Sequence, residues 1–331
     1  MSRKALFTGI ACLLFAGSCA STPEVQEEKW SLPTQSRPMG EVVLRAQKGS
    51  VIQVYSWDDV FCKIYGRDQN SLILETVNRD GTKSRPVVRY GRGKNELMLT
   101  AASRGRNSVL LHDLMQERVI EVDVAKALED ETYEPQMRVS NVFSQEVIPF
   151  EGRKMLYLNR YSWEDGQPRF YLTSRDGNEK RHRKGDKDGF SVVNGELICH
   201  QEKGRVVFVD RFNPEMEIWS LNGTLLRKIG IDEVREAHFK EVEIGGVKDF
   251  YWINEVPSCF ASGNGNASKL ALAYHNAAGE SCIFIMDWEG QMLQSFQVPG
   301  KVLEISISSR GDYVDCWTAF PEEDCLVRYP L

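Results

Sequence analysis

The chain has 331 residues, 42% of them hydrophobic, with 47 acidic against 41 basic residues and a net charge of −6. An acidic balance excludes the basic footprint of a nucleic-acid binder, so no nucleic-acid partner is expected. Past the N-terminus no segment is apolar enough to be read as a membrane-crossing helix.

Arg3 and Lys4 precede an apolar run from Ala5 to Ala16. Twelve residues at ~1.5 Å per residue cover only about 18 Å, too short to span a bilayer but suited to a cleaved signal peptide. Ala16-Gly17-Ser18-Cys19 follows. It resembles the bacterial lipobox, with Ala16 where leucine is usual. The resemblance implies cleavage after Ser18 and lipidation of the Cys19 thiol, so residues 1–18 are read as a lipoprotein signal peptide. An ordinary secretory signal with a coincidental cysteine is the plainer alternative. Residues 19–40 hold Pro23, Pro33 and Pro38 among polar and charged residues and are read as a flexible tether. Glu24, Glu27 and Glu28 resemble an export tag of surface lipoproteins of the Bacteroidetes, or simply solvate a linker.

From residue 41 onward short runs of alternating β-branched and aromatic residues are punctuated by turn dipeptides. Tyr55-Ser56-Trp57-Asp58-Asp59 opens the series and is nearly repeated as Tyr161-Ser162-Trp163-Glu164-Asp165. A tryptophan beside a carboxylate can seat a sugar or peptide, which makes Trp57, Asp58, Trp163 and Glu164 candidate ligand-binding residues. The same tryptophans could instead pack beside turns. The run Ser71–Asn78 leads to Asp80-Gly81 and on to Pro86–Tyr90. Gly91 to Glu96 comes next, where backbone N–H groups with Arg92 and Glu96 could hold an anion, or where glycine simply permits a tight connection. Arg118–Val124 reads as a strand, followed by an acidic stretch from Ala125 to Glu131, and Val124–Glu131 allows one or two turns of helix. Pro168–Thr173 leads to Asp176-Gly177, and the basic run Lys180–Lys184 follows. Met216–Leu221 leads to Asn222-Gly223, and Cys282–Asp287 to Glu289-Gly290. Asp-Gly and Asn-Gly between alternating runs indicate hairpins, with type I′ turns expected. Asp232–Ser258 breaks the pattern and reads as an insertion, with a short helix allowed over Asp232–His238. Val302–Ile307, Tyr313–Trp317 and Cys325–Tyr329 are the last three strands. They lack a fourth, which Glu41–Ala46 could supply by closing the ring.

Gly81, Gly177, Gly223 and Gly290 are spaced 96, 46 and 67 residues apart. A period of ~46–48 residues with four short strands per unit is a β-propeller signature. Residues 41–331 are therefore read as one all-β domain, a β-propeller of six four-stranded blades, with seven as the alternative. The pattern, with Gly91-Arg92-Gly93-Lys94-Asn95-Glu96 after the first blade, resembles the TolB-like six-bladed propeller lipoproteins of the Bacteroidetes, with Lys94 where proline is usual. The resemblance implies an exported binding or scaffold protein and no settled reaction.

Of eight cysteines, six lie beyond the export region. Cys316 and Cys325 flank Phe320-Pro321, where a tight hairpin would set them opposite one another as a possible disulfide. No catalytic spacing occurs among the five histidines, and no Gly-x-Ser-x-Gly elbow or P-loop is present. No cofactor and no metal is expected. The expectation is a lipid-anchored envelope protein, held to the outer membrane, that uses a propeller face to bind a protein, peptide or glycan. The alternative is a metal-dependent hydrolase or lactonase-like enzyme with Asp113, Asp210 and Asp287 meeting at the channel mouth.

Overall fold

A computed structural model describes residues 25–66, 72–93, 96–99, 101–113, 118–139, 147–149, 154–158, 170–174, 195–235, 239–244, 247–252 and 256–331. Cys19, Trp163, Glu164, Gly177 and the Lys180–Lys184 run lie outside the described residues.

Five sheets have four or more strands. The first holds Val51–Ser56, Val60–Tyr65, Leu72–Asn78 and Ser84–Tyr90, with Glu96–Leu97 added in parallel at its rim. The second holds Ala101–Arg104, Ser108–Asp113, Arg118–Asp123 and Gln136–Val139. The third holds Gly195–His200, Arg205–Asp210, Glu215–Ser220 and Leu225–Ile231. The fourth holds Phe260–Gly265, Lys269–His275, Ser281–Asp287 and Met292–Val298. The fifth holds Lys301–Ile307, Tyr313–Ala319 and Glu323–Pro330. Its fourth strand is Glu41–Gln47, paired antiparallel with Arg328 opposite Glu41 and Glu323 opposite Gln47. The N-terminal strand thus joins the C-terminal blade and leaves neither of those two edges open there.

The expectation of six four-stranded blades is corrected here to five blades. Between the second and third lies a narrower sheet, Val147–Pro149, Lys154–Leu158 and Phe170–Ser174, with three strands among the described residues. The 46–48-residue spacing counted this interval as a full blade. The insertion expected over Asp232–Ser258 carries a two-stranded hairpin, Phe239–Ile244 with Val247–Trp252. Residues 232–235 are not helical; Glu233 instead accepts from the Tyr274 hydroxyl at 2.6 Å, and Arg235 donates to the carbonyls of His275 and Pro257.

The apolar cores lie between blades. One joins the third and fourth through Ile218, Met216, Phe284 and Trp288, another the fourth and fifth through Phe296, Ile305 and Tyr329, and a third the fifth and first through Trp317, Leu326, Val54 and Phe61. Each large apolar side chain removed from water in these seams contributes roughly 1.5–3 kcal/mol. The short helix Val124–Glu129, capped by the Asp123 carboxylate on the Lys126 N–H, covers the seam between the first and second blades.

The turn glycines adopt positive φ as expected, 72° at Gly81, 86° at Gly223 and 84° at Gly290. The turn type differs. Gly223 N–H donates to the Ser220 carbonyl, and Gly290 N–H to that of Asp287, so each glycine is the fourth residue of its turn. A register shift follows in the paired strands. This is a type I turn closed by a glycine bulge, rather than the type I′ turn expected from the dipeptides alone.

The inner strands run side by side, from a face we call upper to one we call lower. Neighbouring sheets interlock along them through side chains that accept from the next strand's backbone. Asn264 Oδ1 accepts from Ile307 N–H at 3.0 Å, Ser306 Oγ from Ser56 N–H at 3.2 Å and Glu196 Oε2 from Gly263 N–H at 2.8 Å. The inner strands are otherwise open edges, whose exposed N–H groups need partners.

Part of the stretch expected to be a flexible tether, residues 19–40, is instead packed on the blades. Gln26–Trp30 lies parallel to Leu225–Ile231 on the rim of the third blade. Trp30 is buried there, its ring 5.7 Å from that of Phe284. Ser36 bridges to Gln297 on the rim of the fourth blade, and the Arg37 guanidinium sits 3.9 Å above Phe296. Residues 26–37 therefore form a strap over two blade rims.

Candidate functional site

At the upper end of the inner strands lies a cavity of about 340 Å³ lined by residues from every blade, including Gln53, Arg104, Glu196, Arg211 and Glu304. Its mouth is shaped by a shared irregularity. The pairing of the first and second strands shifts register between Val51 and Gln53, between Phe260 and Ser262, and between Val302 and Glu304. Each bulge leaves one extra residue, Ile52, Ala261 and Leu303, and all three line the cavity. Ile52 is 50% exposed, although it is a large apolar side chain in a strand.

Below this apolar rim sits a polar tier. The Glu304 carboxylate is buried and accepts from the Gln53 amide at 2.6 Å and from the Ser262 hydroxyl. Burial raises its pKa above the ordinary carboxylate value, against the pull of those hydrogen bonds and of Arg104 and Arg211. Arg104 donates to the Ser56 carbonyl at 2.5 Å and to the Ser306 hydroxyl. Loss of water lowers its pKa to about 10, so it stays charged at neutral pH, supported by Glu304 and Glu196. Arg211, just past the end of a second strand, brings a guanidinium that makes no hydrogen bond or ion pair among the described residues. Two guanidinium groups and two carboxylates thus face a small, apolar-rimmed space. Such a site can fix a polar or charged group and shelter an apolar one.

The residues singled out in the sequence fall elsewhere. Trp57 is partly buried at the lower face, between the first and second blades. Its indole N–H donates to the Arg106 carbonyl at 2.8 Å, and the Arg104 guanidinium covers its ring at 4.5 Å. Asp58 accepts from Ser309 N–H at 2.9 Å, across the seam with the fifth blade. Arg92 is exposed and lies at the upper rim of the first blade. Glu96, nearby, turns its carboxylate onto Gly93 N–H at 2.8 Å, so the chain's own anion occupies that backbone donor. The Trp57–Asp58 and Arg92–Glu96 pairs therefore sit on opposite faces and do not form one site. Trp163 and Glu164 are outside the described residues.

The expected cysteine pair is also corrected. Cys316 lies opposite Val327, and Cys325 opposite Thr318, which makes the two cysteines diagonal neighbours rather than partners. Diagonal positions stand ~7–8 Å apart, beyond disulfide reach, and both thiols are buried and free. Asp113, Asp210 and Asp287 do not converge. Asp210 pairs with Gly195 at the start of an inner strand, whereas Asp287 pairs with Lys269 at the other face. Each carboxylate is engaged locally, Asp210 by Phe212 and Asn213, Asp287 by Glu289 and Gln291, and Asp113 by Met98 and Arg118. Among the described residues no three histidine, cysteine or acidic side chains cluster as a metal site.

Radial sheets around a lined channel define a β-propeller protein. Among solved structures the chain is similar to a candidate exported protein of Bacteroides fragilis, with 11% identity, 93% of this chain and 99% of that one covered, and a TM-score of 0.52. It is also similar to the RRP9 WD40 repeats, at 10% identity over 91% of this chain and 99% of that chain with a TM-score of 0.46. The Neurospora crassa Pan2 WD40 domain matches at 11% identity over 85% and 75%, with a TM-score of 0.42. At these identities the likeness concerns the fold alone. No protein-family model matches the chain, and no curated protein matches it significantly.

Proposed function

We propose that this chain is an exported, lipid-anchored binding protein of the bacterial envelope, and that it takes its ligand at the upper mouth of the channel. The observation that carries the reading is the cavity itself. Arg211 presents a guanidinium that makes no hydrogen bond among the described residues, beside Arg104, Glu196 and Glu304 and under the exposed rim residue Ile52. A volume near 340 Å³ lies at the small end of ligand sites. It suits the end of a peptide, a protein loop or one sugar unit. An acidic group on that ligand would meet Arg211, and its apolar part Ile52 and Leu303. The N-terminal apolar run and the small residues before Cys19 support export and lipidation.

The test is photocrosslinking in intact cells, with a benzophenone amino acid in place of Ile52 and mass spectrometry of the captured species. Capture of one reproducible protein or glycan, reduced at least tenfold by Arg211→Glu, is the expected result. Capture unchanged by Arg211→Glu, or no reproducible capture, overturns the cavity as the binding site.

A further inference from the structure

The strap fixes more than a rim. Strand directions follow from the pairings. Gly195 and Asp210 share the upper end of the third blade, where the first strand starts and the second ends. The third strand runs back down, and the fourth, Leu225–Ile231, runs up again. Gln26–Trp30 is parallel to that fourth strand, with Gln26 opposite Arg227 and Trp30 opposite Ile231. Gln26 therefore lies toward the lower face and Trp30 at the upper one. The strap strand therefore begins on the lower side of the blade. The cavity residues Ile52, Ala261 and Leu303 occupy the starts of inner strands, and Arg211 the end of a second strand, all at the upper face.

We infer that the strap holds the lipid-bearing end of the chain on the face opposite the cavity mouth, so that the mouth opens away from the membrane and receives a water-borne ligand. This rests on the reading of Cys19 as the lipidated residue. Length decides the matter. From Cys19 to residue 25 the chain can extend only about 25 Å, at ~3.3–3.6 Å per residue. To bring the mouth against the bilayer, that segment would have to climb the rim of the third blade. A strand of six or seven residues is already ~20–23 Å tall at ~3.3 Å per residue. Almost nothing would remain to reach the lipid. The strap cannot lengthen cheaply, because Trp30 is inserted between the third and fourth blades and Asp232 N–H donates to the Trp30 carbonyl at 2.7 Å.

Two exposed positions report the orientation. Val234 is 95% exposed just past the upper end of Leu225–Ile231. Lys203 is exposed in the lower turn between Gly195–His200 and Arg205–Asp210. The full-length lipidated protein, carrying Val234→Cys or Lys203→Cys with a thiol-linked donor fluorophore, is reconstituted in vesicles of phosphatidylethanolamine and phosphatidylglycerol doped with an acceptor headgroup lipid. Among the described residues the thiols are buried except Cys199, which is partly buried and whose pKa burial pushes up to about 12, and Cys19 is blocked by the lipid in this reading, so the introduced thiol is the one labelled at neutral pH. The expected result is transfer at least twofold more efficient from position 203 than from 234. Equal efficiencies, or a higher one at 234, overturn the orientation. Cys19→Ser serves as the separate check. If that variant stays bound to the vesicles the anchor reading fails; if it dissociates while the two labels report equal distances, only the orientation fails.

Discussion

The Gln53 side-chain amide donates to the Glu304 carboxylate at 2.6 Å, linking the first blade to the last directly beneath the channel mouth. Removing Gln53 leaves a buried carboxylate with one donor fewer. Gln53→Ala is expected to lose about 1.5–3 kcal/mol, the range for a hydrogen bond to a charged group. Urea unfolding monitored by tryptophan fluorescence reads this directly. Gln53→Ala combined with Glu304→Gln should cost less than the sum of the two single changes, because the carboxylate that needed the donor is gone.

Arg328 grips Asp315 with two hydrogen bonds of 2.7 Å, both groups buried, while its guanidinium lies 3.7 Å above the Tyr313 ring. Breaking such a pair from one side strands a charge in the interior. Arg328→Met should therefore destabilise by about 3–5 kcal/mol, and the double change with Asp315→Leu should recover much of that loss. A melting series of the three variants checks it. A double variant as unstable as Arg328→Met would rule out the stranded charge as the cause.

Two buried groups pull stability in opposite directions with pH. Burial raises the Asp210 pKa to about 6 despite its donors Phe212 and Asn213, so its contribution is full below the unfolded carboxylate value and lost as pH rises toward 6. Burial lowers the His112 pKa to about 4, so its contribution is full above the unfolded histidine value and lost as pH falls from about 6.5 toward 4. Each is worth on the order of 3 kcal/mol at its limit. They offset one another between pH 4 and 6.5. Asp210→Asn is expected to unmask the histidine, so that the variant loses stability on acidification more steeply than the parent. Urea midpoints at half-unit pH steps would show it, and parallel profiles would refute it.

Trp30→Ala should unlatch the strap at a cost of about 3–5 kcal/mol, the usual loss for truncating a buried aromatic. Limited proteolysis should then cut between residues 31 and 37 well before the blades are attacked. Trp30→Phe should protect that segment again. Cleavage rates that match the parent would mean that Trp30 does not hold the strap down.

Much of the fold was legible because hairpins advertise themselves. Alternation in Met216–Leu221 and Cys282–Asp287, ended by Asn222-Gly223 and Glu289-Gly290, located two turns to the residue. The blade count was not legible, because a period measures chain length rather than strands, and the interval after Val139 holds a sheet of three strands among the described residues. The strap escaped notice because Gln26–Trp30 adds to a sheet edge through its backbone, which leaves no alternating apolar face to read. Trp30, alone among polar neighbours, was the available signal. The cavity was hidden for a different reason. Gln53, Glu196 and Glu304 look like ordinary outward positions in alternating strands, and only closure of the ring turns those positions inward. A charged or amide residue at the same place in several first strands is the pattern that could have shown it.

The pairing of Glu41–Gln47 with Glu323–Pro330 has a consequence in time. The two strands come from nearly opposite ends of the chain, so the last blade cannot form until almost all of the sequence is free to meet. In the other four-stranded blades the antiparallel strands follow one another in the chain and can form locally, with the strap added later to the third. Assembly therefore ends in a single slow ring-closing step, as expected for contacts of such separation. Until the strand Glu323–Pro330 is made, Glu41–Gln47 has no edge to pair with, and the ring stays open.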